Sequence, residues 1–188
     1  AVIDHMTSQN TFSMLETMRA NPVEKLEKLV DKFMHAKNIV LLGVQFSGIV
    51  THDAYLRFSR IGLQCKSFTN ESDILTYSFF ADPDDVVLAF SYSGKTSVIL
   101  KAAGYIKNRG AYLASVTKNY NNELLEYSNL HLYVNSIDDP ENNLSLSSRI
   151  ATLALMDTIY GILINKKSDT FYDKLMQTNK LYKKHFGN

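Results

Sequence analysis

The sequence predicts an α/β protein: a five-stranded parallel, doubly wound sheet flanked by helices, with extra helices at the N- and C-terminal ends. Three observations predict it. Short apolar runs of strand length alternate with helix-length amphipathic stretches five times along the chain. Two of those runs, 38–43 (NIVLLG) and 86–90 (VVLAF), are continuously apolar, as strands covered on both faces are. Each of these two empties into a turn containing glycine and serine that opens directly into a helical pattern.

The elements follow in order. Residues 1–6 (AVIDHM) lack the basic and long apolar regions of a secretory leader and read as a cloning remnant, leaving 7–188 as one domain. A helical lead-in spans about 10–36. Phe12, Leu15 and Met18 or Arg19 give residues 11–19 a helical stripe. Asn21, Pro22 and Glu24 are then spaced as the N-cap, first-turn proline and N3 glutamate of a second helix. Leu26, Val30 and Phe33 form its inner face, and it ends near His35.

The strand 38–43 turns through 44–47 into a helix over 48–61, with Val50, Ala54, Phe58 and Ile61 inward. A second strand, 63–68, leads through a polar turn at 69–73 to a short helix ending near Phe80, and Asp82-Pro83-Asp84 breaks it before 86–90. The helix 96–109 buries Ile99, Ala102 and Ile106, and Gly110 stops it. Strand 111–116, a short helix 122–127 and a more alternating edge strand 129–135 complete the sheet. An acidic, asparagine-rich loop, 136–143, precedes the C-terminal helices, about 147–186. The first, 150–164, is so apolar that burial, with a subunit contact, is expected; the second starts at Ser168 and ends in Lys180, Lys183 and Lys184, a solvated basic face.

Composition narrows the function. With 188 residues, 45% hydrophobic and 21% charged, the chain can bury one sizeable core. A formal net charge of +1 does not make the strong positive field of a nucleic-acid surface, so DNA contact by these residues is not expected. Cys65 is the single cysteine, which excludes a disulfide framework and a multi-cysteine zinc site and suits a reducing cytoplasm. No apolar run approaches the ~18 residues of a membrane span.

Chemistry concentrates at 85–96, DVVLAFSYSGKT. Ser91, Ser93 and Thr96 supply hydroxyl donors, Gly94 permits a tight turn, and the helix that follows offers unpaired N–H groups and a positive dipole end. Together they make an anion cradle that needs no metal or cofactor. Residues 89–96 also fit a relaxed nucleotide-triphosphate loop through Gly94-Lys95-Thr96, but Ala89 stands where its first glycine belongs. Bulky Phe90 and Tyr92 fall inside it, and no later apolar strand ends in a magnesium-binding aspartate.

Three segments in order carry a family resemblance: Gly43-x-x-x-Ser47-Gly48 after the first strand, Ser91-x-Ser93-Gly94-x-Thr96 after the third, and Ser148-Arg149-Ile150-Ala151 before a helix containing Asp157. With them the chain resembles a sugar isomerase (SIS) domain over roughly 23–166, and LRFSRIG with Ser-Arg-Ile-Ala is similar to the effector domain of RpiR-type transcription regulators. The resemblance implies a flavodoxin-like sheet, a phosphorylated sugar or aminosugar bound at the C-terminal strand ends, and a homodimer or pair of dimers. It implies phosphate contacts at Ser91, Ser93, Gly94, Thr96 and Ser47, with Lys95, Glu71 and Arg149 as secondary contacts. Lys95 departs from the glutamate many relatives carry, and Gln45 stands where a second glycine is common.

An isomerase also needs a positioned general base. Glu71, His52, Glu141 and His131 are available, but no catalytic motif places any of them, and His52 and His131 read as structural. The expectation is a non-catalytic, cytoplasmic phosphosugar sensor whose DNA-binding helix-turn-helix would precede Thr7. A single-domain aldose–ketose phosphosugar isomerase is the alternative.

Overall fold

The computed structural model describes residues 2–137, 147–166 and 168–187. Five strands, β1 (Ile39–Leu42), β2 (Cys65–Phe68), β3 (Val86–Phe90), β4 (Tyr112–Lys118) and β5 (Leu130–Val134), form one sheet in the order β2-β1-β3-β4-β5. Every neighbouring pair is parallel. The continuously apolar β1 and β3 are fully buried near the middle, whereas β2 and β5 take the edges.

Among the described residues seven α-helices flank the sheet: α1 (Val2–Ala20), α2 (Val23–His35), α3 (Gln45–Arg60), α4 (Glu71–Phe79), α5 (Ser97–Arg109), α6 (Ser148–Lys166) and α7 (Asp173–Phe186). Side-chain alternation along the strands splits the core into two layers. Ile39, Leu41, Val86, Leu88 and Phe90 face α2, α3 and α6, while Val40, Leu42, Val87 and Ala89 face α4 and α5. Gly110, with φ 81°, closes α5 in the left-handed conformation that its missing Cβ permits.

Two expectations need correction. Asn21 is not an N-cap: Pro22 occupies the capping position of α2, and the buried Asn21 amide instead pairs with the main chain of Tyr133 on β5, donating to its carbonyl at 2.6 Å and accepting from its N–H at 2.9 Å. The free edge of a strand attracts such a partner because its main-chain groups must be satisfied. Second, α1 begins at Val2, and its buried residues are Ser13 and Thr17, while Phe12 and Leu15 face outward. The inward face of this helix lies against α6 and β5, where Ser13 bonds Ser147 Oγ and Thr17 bonds the Asn135 main chain. The inward face of α6 is buried as its apolar sequence leads one to expect. Ala151, Leu155, Met156, Ile159 and Leu163 are buried within the chain, against a core that α2 and α3 share. Among the described residues no helix is long and apolar enough to cross a membrane.

Candidate functional site

The hydroxyl loop sits where the sequence puts it, between the end of β3 and the start of α5. Ser91, buried, shares a hydrogen bond with Thr96 (Oγ to Oγ1, 2.8 Å), so the two ends of the loop are drawn together. The Lys95 N–H donates to Ser93 Oγ at 3.2 Å, and the Gly94 N–H donates to the Ser91 carbonyl at 2.9 Å. Gly94 is required twice over. Its φ is 63°, and a Cβ there would fall 2.1 Å from Asn122 Oδ1.

Asn122 is the loop's hidden support. Its Nδ2 donates to Thr117 Oγ1 (3.1 Å) and the Tyr120 carbonyl (2.9 Å), fixing the amide beneath Gly94. The Tyr120 hydroxyl donates to the Ser93 carbonyl at 2.6 Å, and the Lys118 N–H to the Tyr92 carbonyl at 2.8 Å. The segment after β4 therefore holds the loop after β3 from behind.

In front of the loop lies a cavity of about 530 Å³, within the usual range of small-molecule sites. Ser47, Ser91, Ser93, Thr96, Glu71 and Arg149, from segments far apart in sequence, all line it. Neither Gly94, buried within the loop, nor Lys95, exposed on it, lines the cavity. The floor is apolar, from Val50, Phe90, Val116 and Val134, and Ser148 and Thr152 join Arg149 on the α6 side. Glu71 and Arg149 are the two charged lining residues, one from the start of α4 after β2 and the other from the first turn of α6.

Helix ends supply the rest of the electrostatics. Neither α3 nor α5 receives a side-chain cap, because Val44 has no polar atom to offer and the Thr96 hydroxyl is turned to Ser91. Their first-turn N–H groups and positive dipole ends therefore remain available beside the hydroxyls. The start of α4 differs: Asn70 Oδ1 accepts from the N–H groups of Ser72 and Asp73. Gln45 takes φ 52°, so the first turn keeps a glycine-type backbone although it carries a side chain.

Other proposed residues lie elsewhere. His52 stacks on Tyr55 and lines a separate, shallower depression between α3 and β2. His131, on edge strand β5, lies 3.4 Å from Ser115 Oγ. Glu141 lies outside the described residues. Among those residues no group of three His, Cys, Asp or Glu side chains converges as a metal site would. Sequence reasoning missed Asn122, Tyr120 and Thr152. The last had a signal, since it follows Ser148 and Arg149 at i+4 and i+3 on one helix face.

The arrangement defines an open parallel α/β domain whose cavity lies at the carboxyl ends of its strands, where β1 and β3 diverge in connection. The chain belongs to the SIS domain family, whose model matches residues 32–160. It is homologous to the SIS domains of RpiR-type regulators. An uncharacterized HTH-type transcriptional regulator of Thermotoga maritima is 30% identical over 151 residues, 80% of this chain and 54% of its own. The HTH-type regulator RpiR of Escherichia coli is 24% identical over 138 residues, 73% of this chain and 47% of its own. The chain thus spans about half the length of these two relatives.

Solved structures share the fold. The Vibrio vulnificus NanR protein complexed with ManNAc-6P superposes with a TM-score of 0.89 at 22% identity, over 96% of this chain and 69% of that one. The sugar isomerase domain of an RpiR transcription factor from Sphaerobacter thermophilus gives 0.81 at 14%, covering 93% and 96%. A phosphoheptose isomerase from Francisella tularensis gives 0.73 at 14%, covering 87% and 96%. The neighbours therefore include both regulators and phosphosugar isomerases.

Proposed function

We propose that this chain is the phosphosugar-sensing part of an RpiR-type transcription regulator and that it binds a phosphorylated sugar or aminosugar without turning it over. One observation carries the reading: four hydroxyls, Ser47, Ser91, Ser93 and Thr96, line one cavity at the uncapped starts of α3 and α5. That set matches a phosphomonoester, whose oxygens accept from hydroxyl and amide donors without a metal. Glu71 and Arg149 would meet the sugar or its substituents, and Lys95 would act at long range from the rim. The likeness to NanR, solved with ManNAc-6P, supports an aminosugar phosphate as the first probe. In the full regulator, a cytoplasmic homodimer or pair of dimers, DNA would be held by an N-terminal helix-turn-helix segment, and ligand would shift the balance between two arrangements.

A thermal-shift panel of sugar phosphates against their unphosphorylated sugars tests this. A phosphorylated ligand at one hundred times its dissociation constant should add about 2.7 kcal/mol of stability, and its parent sugar nothing. An equal response to both sets would overturn the phosphate reading. The isomerase alternative draws on one feature, the carboxylate of Glu71 in the cavity lining. Turnover of hexulose or aminosugar phosphates that Glu71→Gln abolishes would establish that alternative and sink the sensor.

A further inference from the structure

The inward face of α1 is polar, and its contacts follow one another along the chain toward the cavity. Ser13 and Thr17 are fully buried and Asn21, just past the helix end, nearly so. Successive members are four residues apart, so they form one row. Asn21 holds Tyr133 on β5, as described above. Thr17 Oγ1 accepts the Asn135 N–H at 2.9 Å, one residue beyond that strand. Ser13 donates to Ser147 Oγ at 2.8 Å.

The first two contacts satisfy an open strand edge, which any edge strand needs. Ser13 Oγ also accepts the Ile137 N–H at 3.4 Å beyond β5, but its bond to Ser147 satisfies no strand edge. It joins two side chains 134 residues apart, both buried, at the residue immediately before α6. The Ser147 carbonyl accepts the Ala151 N–H at 3.0 Å and so closes the first turn of α6. From that turn Ser148, Arg149 and Thr152 line the cavity. A buried hydroxyl pair is directional and tolerates only a few tenths of an ångström of slip, so α1 and this turn are held in one register.

We propose that Ser13 is a positioning residue for the cavity, acting through Ser147, so that the seating of α1 and the affinity of the cavity for a phosphosugar are linked. This rests on the phosphosugar reading above. By reciprocity a ligand held by Ser148 and Arg149 seats α1 as firmly as a seated α1 favours the ligand. The helix lies wholly outside residues 32–160 matched by the family, so the link belongs to this chain's lead-in.

The test compares the wild type, Ser13→Ala, Ser147→Ala, the double variant and Asn21→Ala. Each is titrated with N-acetylmannosamine 6-phosphate and, separately, inorganic phosphate, alongside unfolding and amide hydrogen exchange of α1. Ser13→Ala and the double variant should bind the sugar phosphate about five- to tenfold more weakly, the lower part of the usual range for coupling. The double variant, which leaves no orphaned hydroxyl, should be no less stable than Ser13→Ala. Asn21→Ala should lose stability yet keep its affinity. The sugar phosphate should slow exchange in α1 of the wild type and fail to do so in the double variant. Wild-type affinity in both serine variants, or an affinity loss that merely follows stability through Asn21→Ala, overturns the link and leaves the ligand reading intact. If the wild type binds neither probe, the ligand reading falls and takes the link with it.

Discussion

Replacing Gly94 by alanine tests whether the hydroxyl loop is a rigid cradle. Two costs can be read from its surroundings. A residue with a Cβ at φ 63° pays about 1–2 kcal/mol for the left-handed conformation. The added methyl would also fall 2.1 Å from Asn122 Oδ1 and 2.7 Å from its Cβ, and Asn122 is buried and tied to Thr117 and Tyr120. Overpacking against such a fixed group costs about 1–3 kcal/mol. The sum, about 2–5 kcal/mol, should lower Tm by roughly 5–20 °C in a chain of this size.

Two other glycines calibrate the result. At Gly110 (φ 81°) the nearest atom to an added Cβ is Pro83 Cβ at 4.0 Å, so Gly110→Ala should show the conformational cost alone. Gly161, inside α6 with nothing within 4 Å, should accept alanine with a gain of about 0.5–1 kcal/mol. Urea unfolding of the three variants measures all of this. If Gly94→Ala costs no more than Gly110→Ala, Asn122 yields freely and the loop is not held from behind, which would refute the rigid-cradle argument.

Three further outcomes are expected. Ser93→Ala should weaken sugar-phosphate binding by about 1.5–3 kcal/mol in calorimetry, the worth of a hydrogen bond to a charged group, and unchanged affinity would put the anion elsewhere. Burial, with the Lys25 charge second, holds His131 below the usual histidine range. The unfolded chain therefore takes up the proton first, and stability should fall as pH drops below about 6.5. His131→Gln should flatten that part of the stability profile, and an unchanged slope would rule His131 out as its source. Burial pushes the Cys65 thiol up to about 12. Alkylation at pH 8 should accordingly run more than about a hundredfold slower in the folded than in the urea-unfolded chain, and comparable rates would contradict the burial.

What the sequence revealed and what it hid divide along a physical line. The run from Val86 to Thr96 was readable because strand, turn and helix start are contiguous, so local patterning carries the whole device. Ser47 and Arg149 were readable through the order of three segments, and the fold brings both to the same cavity. Asn122 was not readable, because its role depends on Gly94 lying over it, a contact set by the pairing of β3 with β4 and silent in either segment alone. The face of α1 was misread for a different reason. Apolar periodicity finds faces that bury through apolar contact, whereas the inward row of this helix, Ser13 and Thr17, is held by hydrogen bonds to Ser147 and to the main chain after β5. The same rule explains Asn21, whose sequence spacing suits a cap but whose amide is worth more against the unpaired edge of β5.

The balance between sensor and isomerase turns on Glu71, since both need the same cradle for the phosphate. A carboxylate in the first turn of a helix is stabilised by the helix's own electrostatics, so the presence of Glu71 at the start of α4 is accounted for without any catalytic duty. Aldose–ketose isomerisation demands more: a base within hydrogen-bond reach of the first two sugar carbons while the phosphate stays in the cradle. Glu71 comes from the turn after edge strand β2, whereas Ser91, Ser93 and Thr96 follow β3, with β1 between them. Two strand spacings of about 4.8 Å separate those positions in the sheet, a span close to the length of a hexose phosphate. Such a span suits a contact with the far end of the sugar in either role. Chemistry at that end, rather than affinity, is therefore what separates the two, and a Glu71→Gln variant that binds normally while the wild type turns nothing over would leave the carboxylate as a reader of sugar hydroxyls.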